Sequence, residues 1–565
     1  MTALTELPPF LAFVVAALLA AVTRGRLRGA VMLAAPLAGA AMLWGAGDGI
    51  HLQHSILGVT LTLYEVDPLA SLFGWLFHLG AFIGVLYALH VRDTTQHVAA
   101  LLYAGSAVGA AFAGDLITLF LFWEGLTLSS VFLIWARRTP AASAAAMRYL
   151  LLQVTSGLLL LAGLLVHLRA TGQADFRPIG LDAPGAWLMF VGLGIKCGFP
   201  LLHTWLTDAY PEATETGTVF LCMFTTKVAI YAMARTFPGA EPLVYIGTAM
   251  TCFPIFFAVI ENDLRKVLSY SMINQLGFMV CGIGLGSTLA LNGAVGHAFN
   301  DVLFKGLLFM SMGAVLYVTG RTRASDLGGL YKRMPMTATL CIVGALTISA
   351  VPLFSAFVSK SMVMTAALEQ DRTVIWLFLL FASVGVLEHA GIKIPFFAFF
   401  AHDQGLDARE PPLNMRLAML IAAVLCIAIG CWPTLLYRLL PYPVTYSPYD
   451  TTHVVAQLQL LTFGALAVFW MMRTGRYPHE VRAINLDFER VWRRLMPATA
   501  VYLQRVFGPI DAAGRRGAVT QARRLETFLE KHHGPGGTLG RTWPTGSMAL
   551  WVAVLLAVFT LAYYL

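Results

Sequence analysis

The chain of 565 residues is 58% hydrophobic and only 12% charged, with a mean hydropathy of +0.72 and a formal net charge of +8. One soluble core cannot use that much apolar sequence, so the composition excludes an ordinary soluble domain and predicts an all-α polytopic membrane protein. The positive charge is accounted for by loop topology, so no nucleic-acid partner is expected.

A hydropathy window of about 20 residues predicts the spans in chain order. The first segment resembles the apolar part of a signal peptide, but Arg24, Arg26 and Arg28 follow it instead of preceding it, which predicts an uncleaved span. Between the second and third spans, residues 47–68 alternate like a short hairpin. The sixteen predicted spans lie near residues 8–23, 29–46, 68–90, 97–113, 115–136, 144–168, 185–206, 214–235, 242–261, 267–287, 289–319, 337–362, 373–401, 412–432, 454–472 and 547–565.

The positive-inside rule orients these spans. With the N-terminus outside, the inner loops and span ends hold 28 of the 38 Lys and Arg, and the spans hold the five lysines Lys196, Lys227, Lys305, Lys360 and Lys393. The outer loops and span ends hold only Arg169, Arg177, Arg235, Arg372 and Arg438. An even number of spans then also places the C-terminus, Leu565, outside. We expect a multi-pass protein of the bacterial inner membrane.

Charged residues lie inside several of these spans. Each costs roughly 2.5–3.5 kcal/mol at the bilayer centre on insertion scales, so a series of them indicates an ion path. Burial in an apolar environment favours the neutral amine of lysine, and a nearby carboxylate favours the ammonium, so lysine can alternate between the two, whereas arginine cannot. The residues are Lys196, Lys227, Lys305, Lys360, Lys393, Glu124, Asp301 and Glu388.

Two spans contain proline near a lysine. Pro200 follows Lys196, and Pro352 precedes Lys360. Proline removes a backbone donor and clashes with the preceding turn, so both helices are predicted to break at mid-depth. Paired discontinuous helices are typical of transporter repeats whose irregular backbone lines an ion site, although proline alone is equally compatible with ordinary kinks.

Four stretches in order resemble the antiporter-like subunits shared by Mrp-type cation/proton antiporters and respiratory complex I (the NADH:quinone oxidoreductase/Mrp antiporter transmembrane family), most closely the D component of the Mrp type. They are residues 114–130 (GDLITLFLFWEGLTLSS), 200–209 (PLLHTWLTDA), 263–271 (DLRKVLSYS) with 274–277 (NQLG), and His297-Ala298-Phe299 leading to 304–309 (FKGLLF).

The resemblance implies two inverted five-helix repeats, each with a broken helix. It also implies roles: Glu124 and Lys196 as a coupled pair, Lys227 as the connecting lysine, Lys305 as the central lysine and Lys360 as the terminal one. The expected domains are an N-terminal part (1–95, with a periplasmic hairpin), the repeats (96–240 and 241–403), and a C-terminal part (404–565) whose basic segment 473–545 is cytoplasmic and amphipathic. That segment is interpreted as a surface helix on lipid with a contact to a partner.

Further relay candidates come from position. His297, Asp301 and Lys305 are spaced i, i+4, i+8 and share one helical face. His203 lies beside Pro200 in the first broken helix and is a further relay candidate. Glu388, His389 and Lys393 depart from the family pattern: they either extend the exit path or form a neutralised internal ion pair.

Three functions compete. The first is a proton-translocating subunit of a multisubunit monovalent cation/proton antiporter. The second is the pumping subunit of an NADH:quinone oxidoreductase, a membrane hydrogenase or an energy-coupled CO2-uptake complex. The third, an intramembrane metalloenzyme on His297, Asp301, His389 and Glu388, is disfavoured because lysines between those groups repel a metal.

No cofactor or metal is expected in this chain. Its seven cysteines lie in or at the ends of apolar spans with no CxxC pair, which argues against disulfides, zinc and iron–sulfur ligation. The expected partners are the other subunits of a hetero-oligomeric membrane complex, lipids, and protons with Na+ or K+ as open alternatives.

Overall fold

The computed structural model describes residues 7–56, 59–478, 480–481, 485, 487–534, 537, 540 and 544–564. The chain divides into two compact units, the first ending at Asp487 and the second beginning at Phe488. Nearly all of the regular structure is helical. The first unit holds every site residue expected from the sequence, and the second is described separately.

The helices begin and end close to the expected spans. In chain order they are α1 Phe10–Val22, α2 Gly25–Gly45, α3 Pro68–Ala88, α4 Thr94–Ala111, α5 Leu116–Trp135, α6 Pro140–Thr171, α7 Ala186–Cys197, α8 Thr204–Ala209, α9 Gly217–Met223, α10 Thr225–Thr236, α11 Glu241–Ile260, α12 Leu264–Leu285, α13 Thr288–Thr319, α14 Pro335–Ile348, α15 Ser355–Glu369, α16 Thr373–Phe400, α17 Leu413–Cys431, α18 Thr434–Tyr437, α19 Thr451–Arg473, α20 Glu489–His533 and α21 Thr545–Tyr564.

The protein is an all-α polytopic membrane protein. Each of the sixteen expected spans coincides with one of these helices or with a pair of them. Among the described residues, twelve segments are long and apolar enough to cross a bilayer by themselves, counting α9 and α10 together. The expected hairpin is confirmed: β1, Gly49–Ile56, pairs antiparallel with β2, Val59–Val66.

An internal correspondence links the two halves of the first unit. Asp115 accepts hydrogen bonds from the first turn of α5, and Asp263 does the same for α12. Each also forms an isolated β-bridge to a residue 60 positions later, Asp175 and Arg323 respectively. The second set lies 148 positions after the first, and that offset also superimposes the bounds of α6 on those of α13. This supports two repeats, whose domain boundaries remain a prediction.

Both predicted helix breaks are confirmed. α7 ends at Cys197 and α8 starts at Thr204, while α14 ends at Ile348 and α15 starts at Ser355. Each break contains a Pro-Leu pair whose leucine is left-handed, Leu201 with φ 71° and Leu353 with φ 75°. Such a backbone costs about 1–2 kcal/mol for a residue with a Cβ, so the surrounding structure must hold it in place.

Two further irregularities were missed. The predicted continuous span 214–235 is interrupted at Phe224, between α9 and α10. No proline or glycine marks that break. The backbone amide of Thr225, at the start of α10, donates to the hydroxyl oxygen of Tyr103 at 3.0 Å. The predicted regular span 373–401 contains π-helical turns at Leu387–Ile392 and Phe396–Phe400. π-helical turns occur often at functional sites, and the first of these carries Glu388 and His389.

The second unit contains the 45-residue helix α20 and the apolar helix α21. α20 confirms the predicted helix in the basic tail, even though Pro497 and Pro509 lie inside it. Part of the predicted segment 473–545, and Leu565, lie outside the described residues.

The most buried helices of the first unit carry the charged residues. An 18-residue window is completely buried in the segment α9–α10 and also in α12, and α13 is mostly buried. Lys227 lies on α10, and His297, Asp301 and Lys305 lie on α13. Ionisable groups are therefore placed at the centre of the bundle, away from lipid.

Candidate functional site

Lys196 lies at the first break and contacts the helix of Glu124. Its fully buried Nζ donates to the backbone oxygen of Trp123 at 2.8 Å and to Thr127 Oγ1 at 2.9 Å, and it stands 4.3 Å from the centre of the Trp123 ring. Among the described residues, no carboxylate lies within ion-pair distance of Lys196. Glu124 and Lys196 are therefore not joined by a direct salt bridge; Lys196 binds Trp123 and Thr127, which flank Glu124 on α5, and the expected coupling stays a prediction.

Glu124 occupies space that a glycine leaves open. A Cβ built on Gly157 of α6 would lie 1.7 Å from Glu124 Oε1, well inside any allowed contact. That oxygen is buried and has no hydrogen-bond partner among the described residues. The carboxylate thus points into the α5–α6 contact, where an ammonium, a proton or a water could meet it.

A series of hydroxyl groups lies between the first and second lysines. Ser130 Oγ and Tyr149 OH are 2.7 Å apart, and Tyr103 OH and Thr225 Oγ1 are 2.6 Å apart. Thr127, already bonded to Lys196, lies three residues before Ser130 and accepts its hydrogen bond on the backbone oxygen. Hydroxyl groups both donate and accept, so they can carry a proton between titratable groups. The tyrosines were missed at the sequence level.

Lys227 and Asp301 form the ion pair at the centre. Lys227 Nζ is 2.5 Å from Asp301 Oδ2, and both side chains are completely buried. Lys227 also donates to the backbone oxygen of Cys222 at 2.9 Å, near the C-terminal end of α9. The break at Phe224 therefore gives Lys227 a second partner, because it frees a carbonyl from the helix.

The other residues on the shared face of α13 connect it to the second broken helix. His297 Nδ1 lies 2.9 Å from Ser359 Oγ, and His297 Nε2 lies 3.1 Å from Gln275 Oε1. Asn300 Nδ2 donates to Ser359 Oγ at 3.0 Å and to the backbone oxygen of Ser355 at 2.8 Å. The expected shared face is thus buried and polar, and Gln275, Asn300 and Ser359 are additions that the charge pattern did not single out.

Lys305 and Lys360 are buried with weak or neutral partners. Lys305 Nζ lies 3.5 Å from the backbone oxygen of Leu268, and Lys360 Nζ donates to that of Ile348 at 3.0 Å. Lys360 also lies 4.9 Å from the centre of the Phe278 ring. Among the described residues, neither lysine has a carboxylate within ion-pair distance. In such surroundings the neutral amine of lysine is favoured over the charged ammonium. An arginine at the same position would stay charged, because guanidinium does not release its proton.

Lys393 pairs with a residue that sequence reasoning did not consider. Its Nζ lies 2.8 Å from Glu480 Oε1 and also donates to the backbone oxygens of Val259 at 2.6 Å and Glu261 at 2.7 Å. Glu388 instead accepts a hydrogen bond from Tyr477 OH at 2.6 Å. The neutralised ion pair therefore exists, but its acid is Glu480 and not Glu388.

Three of the five lysines share a position relative to helix ends. Lys227, Lys360 and Lys393 each donate to carbonyls at the C-terminal end of α9, α14 and α11 respectively. That end carries partial negative charge and unsatisfied acceptors, so it stabilises a cation without a carboxylate. The C-terminal ends of these three helices therefore each provide partial negative charge to one lysine.

His203 and His389 occupy different settings. His203 Nε2 lies 3.3 Å from Asp487 Oδ2, which also accepts from Tyr270 OH at 2.8 Å. His389 is completely buried, and its hydrogen-bonding neighbour is the backbone of Gly385, one turn earlier in the helix. The charges of Lys305, Lys360 and Lys393 act on His389.

Residues 113–385 match the family model described as "NADH:quinone oxidoreductase/Mrp antiporter, TM". The chain is 27% identical over 471 residues to Na(+)/H(+) antiporter subunit A1 of Staphylococcus haemolyticus, an alignment covering 74% of this chain and 58% of that protein. It is 30% identical over 346 residues to NADH-quinone oxidoreductase subunit N of Desulforudis audaxviator, covering 55% of this chain and 67% of that protein.

Among solved structures, a chain of the Mrp complex from Dietzia sp. DQ12-45-1b is 22% identical, with a TM-score of 0.69, covering 81% of this chain and 99% of the other. At that identity the likeness shows the fold. The chain belongs to the NADH:quinone oxidoreductase/Mrp antiporter transmembrane family. The recognition made from the four sequence stretches is confirmed at the level of the family.

Proposed function

We propose that the chain is a proton-translocating subunit of a multisubunit monovalent cation/proton antiporter, similar to the D component of the Mrp type. The observation that carries the proposal is the buried series of titratable groups from Glu124 to Lys393, in which Lys227 and Asp301 form the single central ion pair among the described residues. Each proton that crosses is worth roughly 2.3 kcal/mol per 100 mV, comparable with rearranging one ion pair.

The relay in this proposal runs from Glu124 and Lys196, through Lys227 with Asp301, to His297, Lys305 and Lys360. His389 and Lys393 extend it, with Glu388 beside them. His203 is a side branch. When a carboxylate comes close to a neutral lysine, the lysine is favoured in its protonated form, and when the carboxylate moves away, the neutral amine is favoured. Protons can therefore pass along the series in steps.

The proposed setting is the inner membrane of a bacterium. Both termini lie outside, the loop between β1 and β2 is periplasmic, and the segment 473–545 is cytoplasmic. The two repeats comprise residues 96–240 and 241–403. The partners are the other subunits of the complex and membrane lipids, and the ions are protons with Na+ or K+.

A second candidate is a pumping subunit of a redox complex such as an NADH:quinone oxidoreductase, a membrane hydrogenase or an energy-coupled CO2-uptake complex. The match to NADH-quinone oxidoreductase subunit N favours it, since that alignment covers 67% of the relative, against 58% of antiporter subunit A1. The chain carries no motif for a redox group, so electron transfer would belong to partners.

The deciding experiment reconstitutes the purified complex in vesicles with an internal pH indicator. Proton flux driven by an imposed Na+ or K+ gradient, with no electron donor, supports the antiporter. Flux that appears only on addition of an electron donor supports the redox complex. Lys305→Ala should abolish flux in either case, and Lys332→Ala, at an exposed lysine, is the matched control. Unchanged flux in Lys305→Ala would reject both candidates.

A further inference from the structure

The return loop, meaning the described residues 474–478, 480, 481, 485 and 487 after α19, brings polar side chains to Lys393 and Glu388. Tyr477 OH donates to Glu388 Oε1, Glu480 pairs with Lys393, and Asn485 Nδ2 donates to the backbone oxygen of Ile260 at 3.2 Å. Most loops of a membrane protein are solvated. This one contributes contacts to a buried charge, so its role goes beyond connecting two helices.

The charges in this region do not balance. The return-loop cluster, defined as Glu388, Lys393, Tyr477 and Glu480, contains two carboxylates and one ammonium. The neighbouring Glu261 is neutralised separately by Lys266, whose Nζ lies 3.2 Å away. Among the described residues of this region one negative charge is therefore left over, where the Lys393 side chain is completely buried and that of Glu480 is 7% exposed. A bound proton removes this excess charge at the lowest cost.

Unused polar atoms point to where that proton goes. Glu388 Oε2 is buried without a hydrogen-bond partner among the described residues, and the completely buried imidazole of His389 follows it directly in the chain. Lys305, Lys360 and Lys393 lie within electrostatic range of His389. A proton bound to Glu388 or Glu480 thus has the imidazole of His389 as its next acceptor in the direction of the central lysines.

Glu480 is partly exposed as a residue, although both of its carboxylate oxygens are buried. Pro478 and Val481 on either side of it in the loop are exposed. Burial raises the pKa of the Glu480 carboxyl, Lys393 lowers it, and Glu261 raises it again, with a net increase over the ordinary value. The same burial, with Glu388 and Glu480 nearby, raises the pKa of Tyr477, which therefore stays a donor to Glu388.

We propose that Glu480 and Glu388 form a proton-binding site through which the relay exchanges protons with water on the side of the return loop. A carboxylate oxygen takes a proton from water. The O–H bond then breaks as the proton passes to the unprotonated imidazole nitrogen of His389, and the carboxylate is restored. This inference rests on the proposed function and adds its exchange site; nothing in the motifs of the chain assigns it.

The test uses the assembled complex in vesicles and measures proton flux across a range of external pH. Glu480→Gln should lower flux roughly tenfold or more, since a positioned proton carrier typically contributes a hundredfold or more to a rate. Glu480→Asp should restore part of the flux with a shifted pH profile. Asp407→Asn, at a fully exposed carboxylate paired with Arg333, is the matched control and should behave as wild type.

A second variant and a spectroscopic measurement separate proton exchange from a structural role. Glu388→Gln removes the excess charge but keeps the Lys393–Glu480 pair, and it should also lose the part of the pH profile that reports carboxyl protonation. Infrared difference spectra taken during a pH titration should show a protonated-carboxyl band that weakens in each variant.

Two outcomes would overturn the inference. One is wild-type flux and pH profile in Glu480→Gln while Lys305→Ala is inactive, which leaves the proposed function intact. The other is an unchanged carboxyl band in both glutamine variants. Wild-type flux in Lys305→Ala would instead remove the proposed function itself.

Discussion

Lys227 and Asp301 are paired at 2.5 Å with both side chains completely excluded from solvent. Lys196, Lys305 and Lys360 have no such partner among the described residues; they bind carbonyl or hydroxyl oxygens. Two of the five buried lysines are therefore paired with a carboxylate, Lys227 with Asp301 and Lys393 with Glu480, and the other three are not. In the proposed relay, a proton moving in either direction has to disturb the central pair.

Asp301→Asn should be strongly destabilising, because it leaves Lys227 buried without its counter-charge; breaking a buried pair costs about 3–5 kcal/mol. Thermal unfolding of the purified complex measures this, and the double variant Lys227→Met/Asp301→Asn should recover stability but not flux. The exposed pair Arg333–Asp407 is the control, where Asp407→Asn should leave the unfolding temperature unchanged. Recovery of flux in the double variant would exclude the pair from transport.

Lys360 should require a side chain that can release a proton. The expected order of flux is wild type, then Lys360→Glu, then Lys360→Ala near zero. Lys360→Arg should assemble normally and fail to transport, because guanidinium keeps its proton. Size-exclusion chromatography checks assembly and vesicle flux checks activity. Full transport by the arginine variant would show that Lys360 serves only as a cation at the end of α14.

Glu124→Ala and Lys196→Ala should each abolish coupled flux while the complex still inserts and assembles. Each residue changes the preferred charge of the other through the short α5–α7 contact. The measurement is vesicle flux together with immunodetection of the assembled complex, and Lys332→Ala controls for loss of a lysine as such. Retained flux in either variant would end the assignment of this pair to the relay.

The topology proposal is tested by labelling intact cells. A cysteine at Glu526 on α20 should be protected from an impermeant reagent, and a cysteine appended after the C-terminus should react. The native Cys252 and Cys431 are only partly buried and need replacing first, whereas the other five are buried. The reverse labelling pattern would invert the orientation of every span.

A structural feature can be predicted from this sequence when residues close to it in the chain cause it. Pro200 and Pro352 marked both breaks, because proline acts locally on the helix that contains it. The break at Phe224 left no such mark; it is maintained by the hydroxyl of Tyr103, which is distant in sequence. The partner of Lys393 was missed for the same reason, since Glu480 follows it by 87 positions in a loop that reads as polar and exposed.

The candidate site likewise has a part that could be predicted from local sequence and a part that could not. Residues that lie one or two turns apart, such as His297 and Lys305, could be grouped from spacing alone. Contacts between helices could not, and Lys196 binding Thr127 while leaving Glu124 unpaired is an example. Charge inside an apolar span identifies the participants, and only tertiary packing identifies their partners.

Gly157 shows how a position with no functional group can still control a charge. Its missing side chain is the space that the Glu124 carboxylate fills, so any larger residue there would compete with the acid for the same volume. A variant screen that looks for loss of transport with every titratable residue intact should therefore recover changes at this glycine. In α6, the identity of residue 157 is set by the acid on the opposite helix and not by helix propensity.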